Sequence, residues 1–162
     1  MKTLLLLRHA KSSWDNDRLS DFERPLNNRG REDAPRMGRL LSGLDLTPDL
    51  IISSAAKRAA TTAELVALSS SYDGDIHYTD ALYLAEADEY LDVACRVADS
   101  VTTLMLVGHN PGLEELVGRL SGHDERMPTA ALAAFRLPID TWQRLRREGS
   151  YELIGVWRPK EL

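Results

Sequence analysis

Four consecutive leucines, Leu4-Leu5-Leu6-Leu7, lead directly into Arg8-His9, and a second apolar run, Leu104-Met105-Leu106-Val107, leads through Gly108 into His109. A short run that is apolar at every position suits a strand buried on both faces, as parallel strands are when crossover helices cover them. Residues 3–7, 50–53 and 103–107 are read as such strands, each bounded by polar or Gly/Pro residues. Between them the spacing predicts helices over 29–41, 57–69, 87–98 and 113–120. Strand then helix, repeated, gives an α/β sheet with crossovers. Two further runs, 131–137 and 151–157, read as strands that pair antiparallel, because the connection between them is short.

Helix ends carry their own signals. Asn110 before Pro111 reads as an N-cap with proline at the first helical position. Asp140 with Gln143 reads as a capping box opening a short helix that Gly149 can end. No internal repeat or Pro/Gly/Ser linker divides the 162 residues, so a single domain over 1–162 is expected.

The bulk numbers narrow the function classes. At 43% hydrophobic and 28% charged, the composition is that of a globular chain. Its net charge of −5 and the lack of a Lys/Arg block argue against nucleic acid as a partner. The apolar start is cut off by Arg8 well short of a signal-peptide core, and no run reaches the length of a membrane span, so neither secretion nor a membrane is expected. A single cysteine, Cys95, suits a reducing, cytoplasmic setting, and its helical neighbours read it as a small buried residue. His77 and His123 lack ligand spacing with each other or with Cys95 and are read as surface residues, so neither a metal nor a cofactor is expected. With no heptad and no long exposed apolar stripe, the chain is expected to be a monomer.

Ligands of parallel α/β sheets bind outside the carboxyl ends of the strands. Both strand-terminal histidines should emerge on that edge, and the strand ending near Ser53-Ser54 leads into the helix carrying Lys57 and Arg58. Two imidazoles with Arg8 and Arg58 describe an anion site, since guanidinium forks match phosphate oxygens and a helix N-terminus adds amide donors. Neighbouring cations keep an imidazole neutral, and a neutral imidazole is a nucleophile. At 4 Å and an effective dielectric near 20, each cation attracts phosphate by about 4 kcal/mol, enough to outweigh the acidic surface.

Five blocks in order along the chain resemble the histidine phosphatase superfamily, and within it the SixA-type phosphohistidine phosphatase branch. They are Arg8-His9-Ala10-Lys11-Ser12; Ser20 through Leu26 with Arg29-Gly30; Ser53-Ser54-Ala55-Ala56-Lys57-Arg58-Ala59; Val107-Gly108-His109-Asn110-Pro111-Gly112; and Met127-Pro128-Thr129-Ala130-Ala131. The resemblance implies a phosphoglycerate mutase-like fold, a three-layer α/β/α sandwich with a mostly parallel central sheet. It also implies that His9 is phosphorylated during turnover, that Arg8 and Arg58 bind the transferring group, that His109 donates a hydrogen bond to it, and that no metal takes part.

Two departures stand out. Ser54-Ala55 and Thr61 replace the family's Ser-Pro and glutamine around the second arginine, leaving the rigidity of that loop open. Many relatives also protonate the leaving oxygen with a carboxylic acid from the segment that is Leu82 to Glu89 here. Glu86 is the candidate, against the alternative that it only complements a helix dipole. A phosphohistidine substrate needs such an acid less, since imidazole leaves more readily than alkoxide. Lys11 and Ser12 are candidates for contact with phosphate or substrate, against the alternative of plain solvated loop residues, and Arg24 for the pocket entrance and the phosphate, against that of a surface salt bridge. Trp14 is placed to wall the pocket, while Trp142 and Trp157 are assigned to packing against the last strands.

The expected substrate is therefore a phosphorylated protein or a small phosphorylated metabolite. Alternative readings are a small-molecule phosphomonoesterase of the same superfamily and a phosphohistidine-binding module without chemistry. A mutase fits poorly, because the chain is short and Ala10-Lys11 replaces the usual Gly-Glu.

Overall fold

A computed structural model describes residues 1–147 and 149–162. Six strands, β1 (Lys2–Arg8), β2 (Leu50–Ser54), β3 (Ile76–Thr79), β4 (Thr103–Gly108), β5 (Leu132–Leu137) and β6 (Glu152–Trp157), form one sheet in the order β3-β2-β4-β1-β5-β6. The first four are mutually parallel, and β5 and β6 run antiparallel, as expected from their short connection. The helices are α1 (Asn28–Gly43), α2 (Lys57–Ser69), α3 (Ala87–Cys95) and α4 (Gly112–Ser121).

Strand pleating sends alternate leucines of β1 to opposite faces. Leu5 and Leu7 pack with Met37 and Leu41 of α1 and with Ala63 and Val66 of α2, while Leu4 and Leu6 pack with Leu91 of α3 and with Leu116 and Leu120 of α4. The result is an α/β/α sandwich, and the two apolar layers explain why β1 tolerates no polar residue between Thr3 and Arg8.

Several local expectations need correction. The strand β3 escapes the apolar-run criterion because its four residues, Ile-His-Tyr-Thr, are all at least partly exposed at the sheet edge. Helix α3 stops at Cys95 instead of Ala98, because Val97 turns back to bond Ala94 O at 3.1 Å, a tightened last turn. Cys95 is consequently half-buried, with Sγ donating to Asp92 O. Asn110 does not cap α4; Pro111 holds that position, and the Asn110 amide reaches across to Met127 O at 2.8 Å. Asp140 and Gln143 form no capping box. A short 3-10 turn over Trp142–Arg144 follows Thr141 and ends at Leu145, well before Gly149, while Glu148 lies outside the described residues. Trp142 is fully buried and donates to Val101 O at 2.9 Å, and Trp157 is half-buried on β6.

Candidate active site

The register of β1 against β4 pairs Arg8 with Gly108, so the residues that follow, His9 and His109, leave the sheet side by side. Their ring centroids are 5.1 Å apart. Neighbouring β2 delivers Ser54 and then Arg58 in the first turn of α2. The four residues expected to converge do so, around a cavity of about 220 Å³ that Lys11, Ser12, Arg24 and Trp14 also line.

His9 is 6% exposed, and its Nδ1 lies 2.8 Å from Ala10 O. Only a protonated Nδ1 can bond a carbonyl, so the neutral ring keeps its lone pair on Nε2. Burial above all, reinforced by the charges of Arg58 and Arg8 and by His109, pulls the His9 pKa down to about 3. The backbone is fixed too. His9 N donates to Gly108 O, and Ala10 N donates to Thr62 Oγ1 at 3.0 Å, while that hydroxyl donates to Arg58 O at 2.7 Å. Thr62 thus ties the histidine loop to the helix that carries the second arginine.

Arg58 is 3% exposed and is held by Asp21, through the carbonyl at 2.6 Å and through Oδ2 at 2.9 Å. The same carboxylate accepts from Arg24 at 3.1 Å and from the Tyr83 hydroxyl at 2.6 Å. These bonds outweigh its partial desolvation and bring the Asp21 pKa down to about 2. The buried Nε atoms of Arg8 and Arg58 have no hydrogen-bond partner among the described residues.

His109 is also neutral, its pKa lowered to about 4 by burial and then by Arg58. Nδ1 is 3.5 Å from an Arg58 nitrogen and Nε2 is 2.8 Å from Ser54 Oγ. A guanidinium can only donate, so Nδ1 accepts from Arg58 and the neutral ring carries its proton on Nε2, which donates to Ser54 Oγ. The ring's one donor is therefore Nε2–H, held by Ser54 in this structure.

Glu86 is exposed at the N-cap of α3, in a reciprocal capping box with Glu89, and does not line the cavity. The helix-dipole alternative describes it. Arg24 is buried over Trp14, its guanidinium carbon 3.2 Å from the ring centroid, and it bonds Ser12 Oγ and Ser13 O. Ser12 is buried and engaged by Arg24, whereas Lys11 is exposed. The loop that lacks the family's proline is held by Ala55 N on Thr79 O and Ala56 N on Ser54 Oγ, both at 3.2 Å. His77 and His123 are exposed.

Sequence reasoning assigned no role to Asp21, Tyr83, Ser54 or Thr62. Asp21 and Ser54 sit inside the blocks that carry the resemblance, and a buried Thr beside Arg58 was the available signal for Thr62. Among the described residues no three His, Cys, Asp or Glu side chains cluster as a metal site requires.

Comparisons with known proteins agree with this geometry. The profile of the histidine phosphatase superfamily (branch 1) matches residues 4–87. An uncharacterized chloroplastic protein of Arabidopsis thaliana is 33% identical over 172 residues, covering 98% of this chain and 78% of that one. The solved structure of the candidate phosphohistidine phosphatase SixA of Agrobacterium tumefaciens superposes with a TM-score of 0.83 at 30% identity, over 98% of both chains. That of its counterpart from Nakamurella multipartitia gives 0.85 at 25% identity, over 98% of this chain and 96% of the other. The chain belongs to the histidine phosphatase superfamily, with SixA proteins among its structural neighbours.

Proposed function

We propose that the chain is a metal-independent phosphohistidine phosphatase working by double displacement at His9. The observation that carries this reading is the pairing of a neutral, oriented nucleophile with a cavity that offers no protonated carboxylic acid. Among the described lining residues none is Asp or Glu, and the nearby Asp21 is held ionised by Arg58 and Arg24. General acids contribute about 10² to 10⁴-fold where an alkoxide must leave. An imidazole leaving group dispenses with that help.

His9 Nε2 attacks phosphorus in line while the bond from phosphorus to the substrate nitrogen breaks. The substrate ring reacts in the form protonated on its other nitrogen, so the departing imidazole takes the P–N electron pair, keeps that proton and leaves neutral. Arg8 and Arg58, with His109 through its Nε2–H once this leaves Ser54, stabilise the equatorial oxygens, where charge spreads in the transition state. Water then attacks the phosphorus on His9, releasing inorganic phosphate and restoring the imidazole. The likeness to SixA proteins supports the same substrate class.

A substrate panel tests the reading. Wild type is expected to hydrolyse a phosphohistidine peptide and phosphoramidate at least about 10²-fold faster than a sugar phosphate, and His9→Ala to lose about 10³-fold or more on both. Faster turnover of the sugar phosphate would favour the small-molecule phosphomonoesterase.

A further inference from the structure

We infer that a groove adjoining the reaction cavity receives acidic side chains that flank the phosphorylated residue of a polypeptide substrate, an inference that rests on the phosphohistidine reading. The groove has a volume of about 480 Å³ and shares Arg8, Lys11 and Thr129 with the reaction cavity. Arg29, Arg126, Arg158 and Lys160 line it as well. Six basic side chains face it against two acidic ones, on a molecule whose net charge is −5. One of those acids, Glu114, is committed to Met127 N at 2.8 Å.

The cations differ in how far they are occupied. Arg158 pairs with Glu125 at 2.9 Å, and Arg29 reaches Asp33 at 3.5 Å. Lys11, Arg126 and Lys160 are exposed, and none has an acidic partner within salt-bridge distance among the described residues. Exposed cations lining an open groove differ from the few buried polar groups that fix a small ligand. They suit several carboxylates carried on an extended chain, met by weak additive attraction. Nucleic acid fits less well, because the rest of the surface repels a long polyanion and no aromatic side chain lines the groove for base stacking.

The test compares two phosphohistidine peptides of equal length, one flanked by Asp and Glu and one by Asn and Gln, with phosphoramidate as a substrate that fills only the reaction cavity. The acidic peptide is expected to have a kcat/KM about 3- to 10-fold higher, carried by KM, with the advantage erased near 0.5 M salt. Arg126→Glu combined with Lys160→Glu should transfer the preference to a lysine-flanked peptide, a gain that misfolding cannot produce. Equal kcat/KM for the acidic and neutral peptides, or an acidic preference that survives charge reversal, overturns the landing site while the phosphohistidine reading stands. Hydrolysis of a sugar phosphate with no turnover of any peptide or of phosphoramidate overturns both.

Discussion

As the proposed nucleophile, His9 has to be basic enough to attack phosphorus and uncharged at neutral pH, and its surroundings satisfy the second demand by a wide margin. Burial first, then the neighbouring His109 ring and the charges of Arg58 and Arg8, bring it to about 3, and burial with Arg58 and Arg8 brings His109 to about 4, from a usual 6.5. Both rings should therefore keep neutral chemical shifts from about pH 5.5 to 8 in an NMR titration, and a midpoint near 6.5 for either would contradict the geometry. The unfolded chain protonates these histidines below about pH 6.5 while the folded one does not, so acid favours unfolding. Stability should fall as pH drops from about 6.5 toward 4, by up to about 1.4 kcal/mol per pH unit for each ring, and His9→Asn should flatten that slope. The four central residues were legible because two strands end in histidine and strand ends share an edge. Asp21 was not, since its partners Arg58 and Tyr83 lie 37 and 62 residues away and no local pattern pairs them.

The elements hold the site through a few close contacts. In α1, a Cβ on Gly30 would sit 2.2 Å from Lys11 O, so glycine is what lets this helix approach the loop after His9. On the other side, α2 reaches the same loop through Thr62, which is fully buried between Ala10 N and Arg58 O. Thr62→Val keeps the shape and strands a buried amide, so a loss of about 1–3 kcal/mol in stability is expected. It should also lower kcat by about 10-fold or more through a misplaced His9, with Thr62→Ser restoring most of both. A Thr62→Val enzyme with wild-type melting and wild-type kcat would show that the link is incidental. Long apolar strands and periodic helices could be read directly from the sequence, whereas β3 and the helix ends could not. The edge strand lacks a buried face along its length, and the start of α4 depends on Asn110 being drawn to Met127 in a distant loop.

Over the whole molecule, charge and layering divide the work. Two apolar layers on the faces of one sheet leave the strand ends free, and the acidic surface is interrupted there by a basic mouth formed by Arg8, Arg58, Arg24 and Lys11. Alternating strands and helices made the sandwich legible, but the groove beyond Arg8 was not, because Arg29, Arg126 and the Arg158-Pro159-Lys160 segment come from separate parts of the chain. The proposed reaction turns on a phosphoryl group resting on one imidazole, and trapping it is the most direct measurement. Acid-sensitive, base-stable radiolabel from ³²P-phosphoramidate, quenched during turnover and mapped to a peptide containing His9, is the expected result, with no label on His9→Ala. Phosphate release with no adduct at any quench time, or label mapped to another residue, would contradict it.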